Sequence, residues 1–87
     1  MNNAELNGRI LNEIKILYQN YEQEGINEYM PLIKEIINVI QPYTTSGNSE
    51  VQVILQSIQR GVEAYKHSDI IGMADSLMIV GDNIKYL

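Results

Sequence analysis

Between Met30 and Ile40 the chain reads MPLIKEIINVI, and no other stretch constrains the fold as much. Seven of its eleven residues are apolar: Met30, Leu32, Ile33, Ile36, Ile37, Val39 and Ile40. The spacing 33, 36, 37, 40 is the i, i+3, i+4, i+7 repeat of an amphipathic helix, not the alternation of a half-buried strand. Leu32 and Val39 widen the apolar arc to about half the circumference. A helix this apolar needs cover on two sides, and the rest of the chain must supply it.

Upstream, the pattern predicts a first helix over about residues 3–24. Asn2 is placed to cap it, with Glu5 three positions on. Leu6, Ile10, Ile14, Leu17 and Tyr21 form one stripe, widened by Leu11 and Tyr18. Gly8 lies inside this helix, at a cost of about 1 kcal/mol. Gly25 is placed to end it in the left-handed conformation. A second helix then runs over 27–41, capped by Asn27, with Pro31 in its first turn and Pro42 as its stop.

Residues 42–49, PYTTSGNS, read as a mobile polar connector. A third helix covers 49–67, opened by Ser49 with Gln52 as a capping box. Its core positions are Val51, Ile54, Leu55, Ile58, Val62 and Tyr65, and beside them Ser57, Gly61 and Ala64 form a seam small enough for another backbone to come close. After the break His67-Ser68-Asp69, a fourth helix runs over 69–87, capped by Ser68 or Asp69. Its apolar face is Ile70, Met73, Ala74, Leu77, Val80, Gly81, Ile84 and Leu87, flanked by Ile71 and Met78. No stretch alternates well enough to be a strand. The fold class is therefore all-α: a small antiparallel bundle of four helices forming one domain, 1–87.

Bulk properties narrow the function. A net charge of −5 with six scattered basic residues argues against a nucleic-acid surface and against anionic membranes. No apolar run reaches the length of a membrane span, and the N-terminus lacks the layout of a secretion signal, so a cytoplasmic location is expected. Met1 fits a natural start better than an excised piece of a larger protein. The absence of cysteine removes disulfides and thiol chemistry.

Candidate chemistry is sparse. His67, the single histidine, adjoins Ser68 and Asp69, but neighbours in a chain cannot converge as a catalytic relay. A helix end followed by a cap explains them. Asp75 and Asp82 share a face but lie about 10 Å apart along the axis, too far to hold one ion. Glu22, Glu24 and Glu28 read as a solvated acidic corner. No phosphate loop is present. An interior site would place ionisable residues on the apolar faces, and apart from Lys85 those faces look almost clean. The expectation is a non-enzyme with no catalytic, cofactor or metal residues. The alternative is a ligand-binding or catalytic bundle with its site between helices.

What remains is surface. The apolar faces are wider than the roughly 100° that a simple surface helix needs. The candidate interface residues are Ile79 and Tyr86 on the polar side of the fourth helix, their neighbours Asp75, Asp82 and Asn83, and Ile16 on the outer side of the first. The expected role is a small acidic helical protein–protein interaction module (adaptor, regulatory subunit or chaperone), self-associating as a homodimer or docking a protein partner. In size, charge and helix count the chain is similar to small acidic helical chaperones of bacterial export systems, such as flagellar ones. That likeness rests on no motif.

Overall fold

In the computed structural model, which describes residues 3–19, 22–45 and 47–87, four helices follow one another: α1 (Asn3–Tyr18), α2 (Glu22–Ile40), α3 (Ser49–Lys66) and α4 (Ile70–Ile84). A single 3₁₀ turn, Gln41–Tyr43, follows α2 with Pro42 inside it. No strand occurs among the described residues. Each helix packs antiparallel to the next. Asn7 and Ile10 of α1 lie by Gly81 of α4, whereas Tyr18 reaches Asp75; Gly61 and Ala64 of α3 meet Ser76 and Gly72 of α4. The closest packing is α3 on α4, then α4 on α1 and α1 on α2.

The small-residue seam does what its spacing implies. A Cβ on Gly61 would strike the Tyr29 hydroxyl and the Ser76 side chain, and one on Gly72 would meet the Ala64 methyl at 3.0 Å. The core draws on all four helices, from Leu6, Ile10 and Leu17 through Ile33, Ile36 and Ile40 to Ile54, Met73, Leu77 and Ile84. Each such side chain contributes roughly 1.5–3 kcal/mol by leaving water. Leu11 and Tyr18, which widen the α1 stripe, are exposed, and so is Ile37, one of the four repeat positions expected in the core of α2.

The boundary between the first two helices differs from expectation. α1 ends at Tyr18, not Glu24, and α2 begins at Glu22, not Asn27. Gly25 is no terminator. It is a buried residue inside α2, set against the Leu17 side chain, so its missing Cβ permits a close helix approach. Pro31 consequently sits in the interior of α2, not in its first turn. It is tolerated on the exposed side, where it still forfeits one backbone hydrogen bond. Asn2 as a cap and Tyr21 as a stripe member lie outside the described residues.

The other ends are closer to expectation. Asn48, one residue before Ser49, caps α3 and accepts from Glu50 N at 2.8 Å. Asp69 caps α4, accepting from Gly72 N at 3.0 Å. α4 stops at Ile84 with Lys85 as its cap, three residues short of the chain end. Between α3 and α4, Ser68 takes φ 56°, the left-handed region, and Asp69 N donates to Ala64 O at 2.8 Å. His67 ends α3 with Nε2 3.2 Å from Glu63 Oε1, a surface contact and not a relay.

Candidate functional site

The outer face of α4 follows from its two packing partners. Gly72 and Ser76 turn toward α3, Gly81 toward α1, and Val80 is buried. At 100° per residue the side left over carries Ile71, Asp75, Met78, Ile79 and Asp82, all exposed, and exposed Tyr86 follows in the turn beyond the helix end. Tyr86 is 68% exposed, Ile71 57% and Met78 46%, high values for side chains of this size. Leu11 and Tyr18 continue the surface onto α1. Tyr18 donates its hydroxyl hydrogen to Asp75 Oδ1 at 2.8 Å, with Met78 Sδ 3.3 Å away, which fastens the end of α1 to the middle of this face. That bond to a carboxylate, with Asp75's charge beside it, holds the Tyr18 hydroxyl above the ordinary tyrosine pKa. Lys85 lies 5.5 Å from the Tyr86 ring centre, a cation–π contact at the far end.

A groove flanks this ridge on each side. Toward α3 lies a space of about 460 Å³ bordered by Ser57, Arg60, Ala64, Gly72, Asp75 and Ile79. Toward α1 lies one of about 290 Å³ bordered by Asn7, Leu11, Ile14, Met78, Asp82 and Lys85.

Of the residues singled out in the sequence, the fold brings Asp75, Ile79 and Asp82 onto one face; Tyr86, expected on the same helix, lies in the turn past its end, because α4 stops at Ile84. Asn83 stands at its margin, half-buried, with its amide donating to Ile79 O at 2.8 Å. Ile16 does not join them. It lies on the α2 side of α1, beside Gly25. Ile71 and Met78, which the sequence pattern places at the flanks of the buried face, both point outward.

The apolar faces are also less clean than they looked. Glu13 is 3% exposed, and Lys85, the one ionisable residue suspected there, is exposed. Glu13 lies in the series Leu6, Ile10, Glu13, Leu17, the buried line of α1. Neither carboxylate oxygen has a hydrogen-bond partner among the described residues. It borders a hollow of about 130 Å³ between α1 and α2, with Arg9, Asn12, Ile16, Glu28 and Leu32. Burial, and secondarily the Glu28 charge, push the Glu13 carboxyl up to about 7.

A polar pair crosses the centre. Tyr29, fully buried, reaches from α2 to Ser76 of α4, and its ring stacks on Tyr65 of α3 at 5.8 Å between centres. Burial, and more weakly the Glu13 charge, raise the Tyr29 pKa.

No group of three or more metal-ligating side chains occurs among the described residues, and none of their helices is long and apolar enough to cross a membrane. No protein-family model, curated protein or solved structure matches the chain.

Proposed function

We propose that this chain is a small protein-interaction module that docks through the outer ridge of α4, with a second copy of itself as the simplest occupant. One observation carries the reading: Ile71, Met78 and Ile79 stand exposed on a single helix face and Tyr86 stands exposed in the turn just past its end, two of the four more than half exposed. Scattered apolar residues are ordinary on a protein surface, whereas a contiguous group rimmed by charge marks a contact. The shape supports it. A ridge beside a groove is self-complementary under a two-fold axis, because each copy's α4 seats in the groove of the other. Asp75 and Asp82 lie within the face, between its apolar residues, and Lys85 follows the helix end, so both charge signs are present. The roles this reading covers are an adaptor, a regulatory subunit or an export-type chaperone.

Light scattering on wild type and Ile79→Glu tests this. Wild type is expected to approach twice the chain mass of 9.9 kDa as concentration rises, and the variant to stay at the chain mass. A monomeric wild type, together with a variant that retrieves the same proteins from lysate, overturns the proposal.

A further inference from the structure

The charged side chains around the α3–α4 groove are already engaged, with one exception. Glu63 meets His67 at 3.2 Å, Asp69 caps α4 through Gly72 N, and Asp75 accepts the Tyr18 hydroxyl hydrogen. Arg60, exposed on the α3 wall, has no hydrogen-bond or ion-pair partner among the described residues. The α4 ridge carries the converse. Asp82 is exposed on its α1 side, with Met78 at the edge of the other groove, and it too has no such partner among the described residues.

The register of the two helices relates these charges. Gly61 lies against Ser76 and Ala64 against Gly72, so Arg60 stands level with the step from Ser76 to Leu77. Asp82 lies roughly 8 Å farther along α4, at ~1.5 Å per residue. A two-fold axis halfway between them passes beside Ile79. It reverses the second copy, so that Asp82 of each copy comes level with Arg60 of the other. The same point is the middle of the exposed apolar run from Ile71 to Tyr86. Around such an axis each α4 gains two neighbours. Its Ile79 side, next to α3, meets the other copy's α4, and its Asp82 side meets the other copy's α3, where Arg60 stands.

We propose that two copies pair about an axis beside Ile79, with Arg60 of each on Asp82 of the other, and that these two ion pairs fix the register. The pairing rests on the α4 ridge being the contact between copies. An unrelated chain has no need to match both charges, whereas a second copy does so by symmetry. Exposed ion pairs contribute little affinity, but like charges set against each other are costly, so the pairs act by excluding other registers.

The test uses Arg60→Glu and Asp82→Lys, singly and mixed, with one variant labelled with nitrogen-15. Light scattering and native mass spectrometry follow the dimer, and circular dichroism checks that both variants, changed at exposed positions, keep their helices. Alone, each variant sets like charges together at both contacts, and its self-association is expected to weaken about tenfold or more. Mixed, each contact again joins opposite charges, and the mixed dimer is expected to recover most of the wild-type affinity. Mixing cannot cure a folding defect, so recovery reports on the contact itself. A wild-type dimer whose single variants pair as tightly as wild type, or whose folded variants stay as weak together as apart, overturns the pairing and leaves the ridge as the contact. A wild type that stays monomeric removes the ridge contact and the pairing with it.

Discussion

The Tyr29 hydroxyl lies 2.9 Å from Ser76 Oγ and ties α2 to α4 through the middle of the bundle. Ser76 spends its own hydrogen on Met73 O at 2.7 Å, so Tyr29 is the donor. The two ends of the bond are therefore unequal. Tyr29→Phe leaves Ser76 with its backbone partner and is expected to cost about 1 kcal/mol. Ser76→Ala strands a buried hydroxyl and is expected to cost about 1–3 kcal/mol. Urea denaturation of both variants and the double variant checks this: the double should cost less than the two singles together.

Two glycines inside helices should respond oppositely to alanine. Gly8 has nothing within 4 Å of a built Cβ and is exposed, so Gly8→Ala should stabilise by about 1 kcal/mol through helix propensity. Gly61 faces Tyr29 and Ser76, and Gly61→Ala should destabilise by about 1–3 kcal/mol or more through overpacking. Thermal melts of the pair give the two signs directly.

This contrast explains what the sequence could and could not say. Helical periodicity from Met30 to Ile40 and the Ser57–Gly61–Ala64 seam were legible because burial alone dictates those spacings. Gly25 was misread because a glycine that ends a helix and one that admits a neighbour look the same in one dimension; only Leu17, folded against it, tells them apart. That error shortened the second helix and hid Tyr29, which sits three and four residues before Leu32 and Ile33 on the same buried face. Glu13 was hidden by drawing the α1 stripe through Ile14, which is only partly buried. The series 6, 10, 13, 17 was the available signal. On α4, the outward side of Ile71 and Met78 depended on which neighbours flank the helix, a matter of topology and not of local pattern.

Glu13 should make stability depend on pH. Its folded pKa, about 7, exceeds the ordinary value of 4.5, so the folded state holds the proton more tightly than the unfolded. Its favourable contribution is complete below pH 4.5 and is lost as pH rises through 7. The loss amounts to about 3 kcal/mol. Comparing wild type with Glu13→Gln by chemical denaturation from pH 4 to 8 isolates it: the variant lacks this component and should overtake wild type at the alkaline end.

Ser68 holds φ 56° between α3 and α4, a conformation that costs an L residue about 1–2 kcal/mol. Its side chain is exposed. Ser68→Gly should therefore stabilise the folded state by up to about 1 kcal/mol, read as a higher melting temperature, whereas Ser68→Val should lower it.

The assignment of the α4 ridge as the docking face is tested most directly by amide chemical shifts recorded on dilute and concentrated protein. Concentration-dependent shifts should concentrate at Ile71, Asp75, Met78, Ile79, Asp82 and Tyr86, with Leu11 and Tyr18 following. Spectra that do not change with concentration, or changes confined to the far surfaces around Ile37 and Val53, would contradict it.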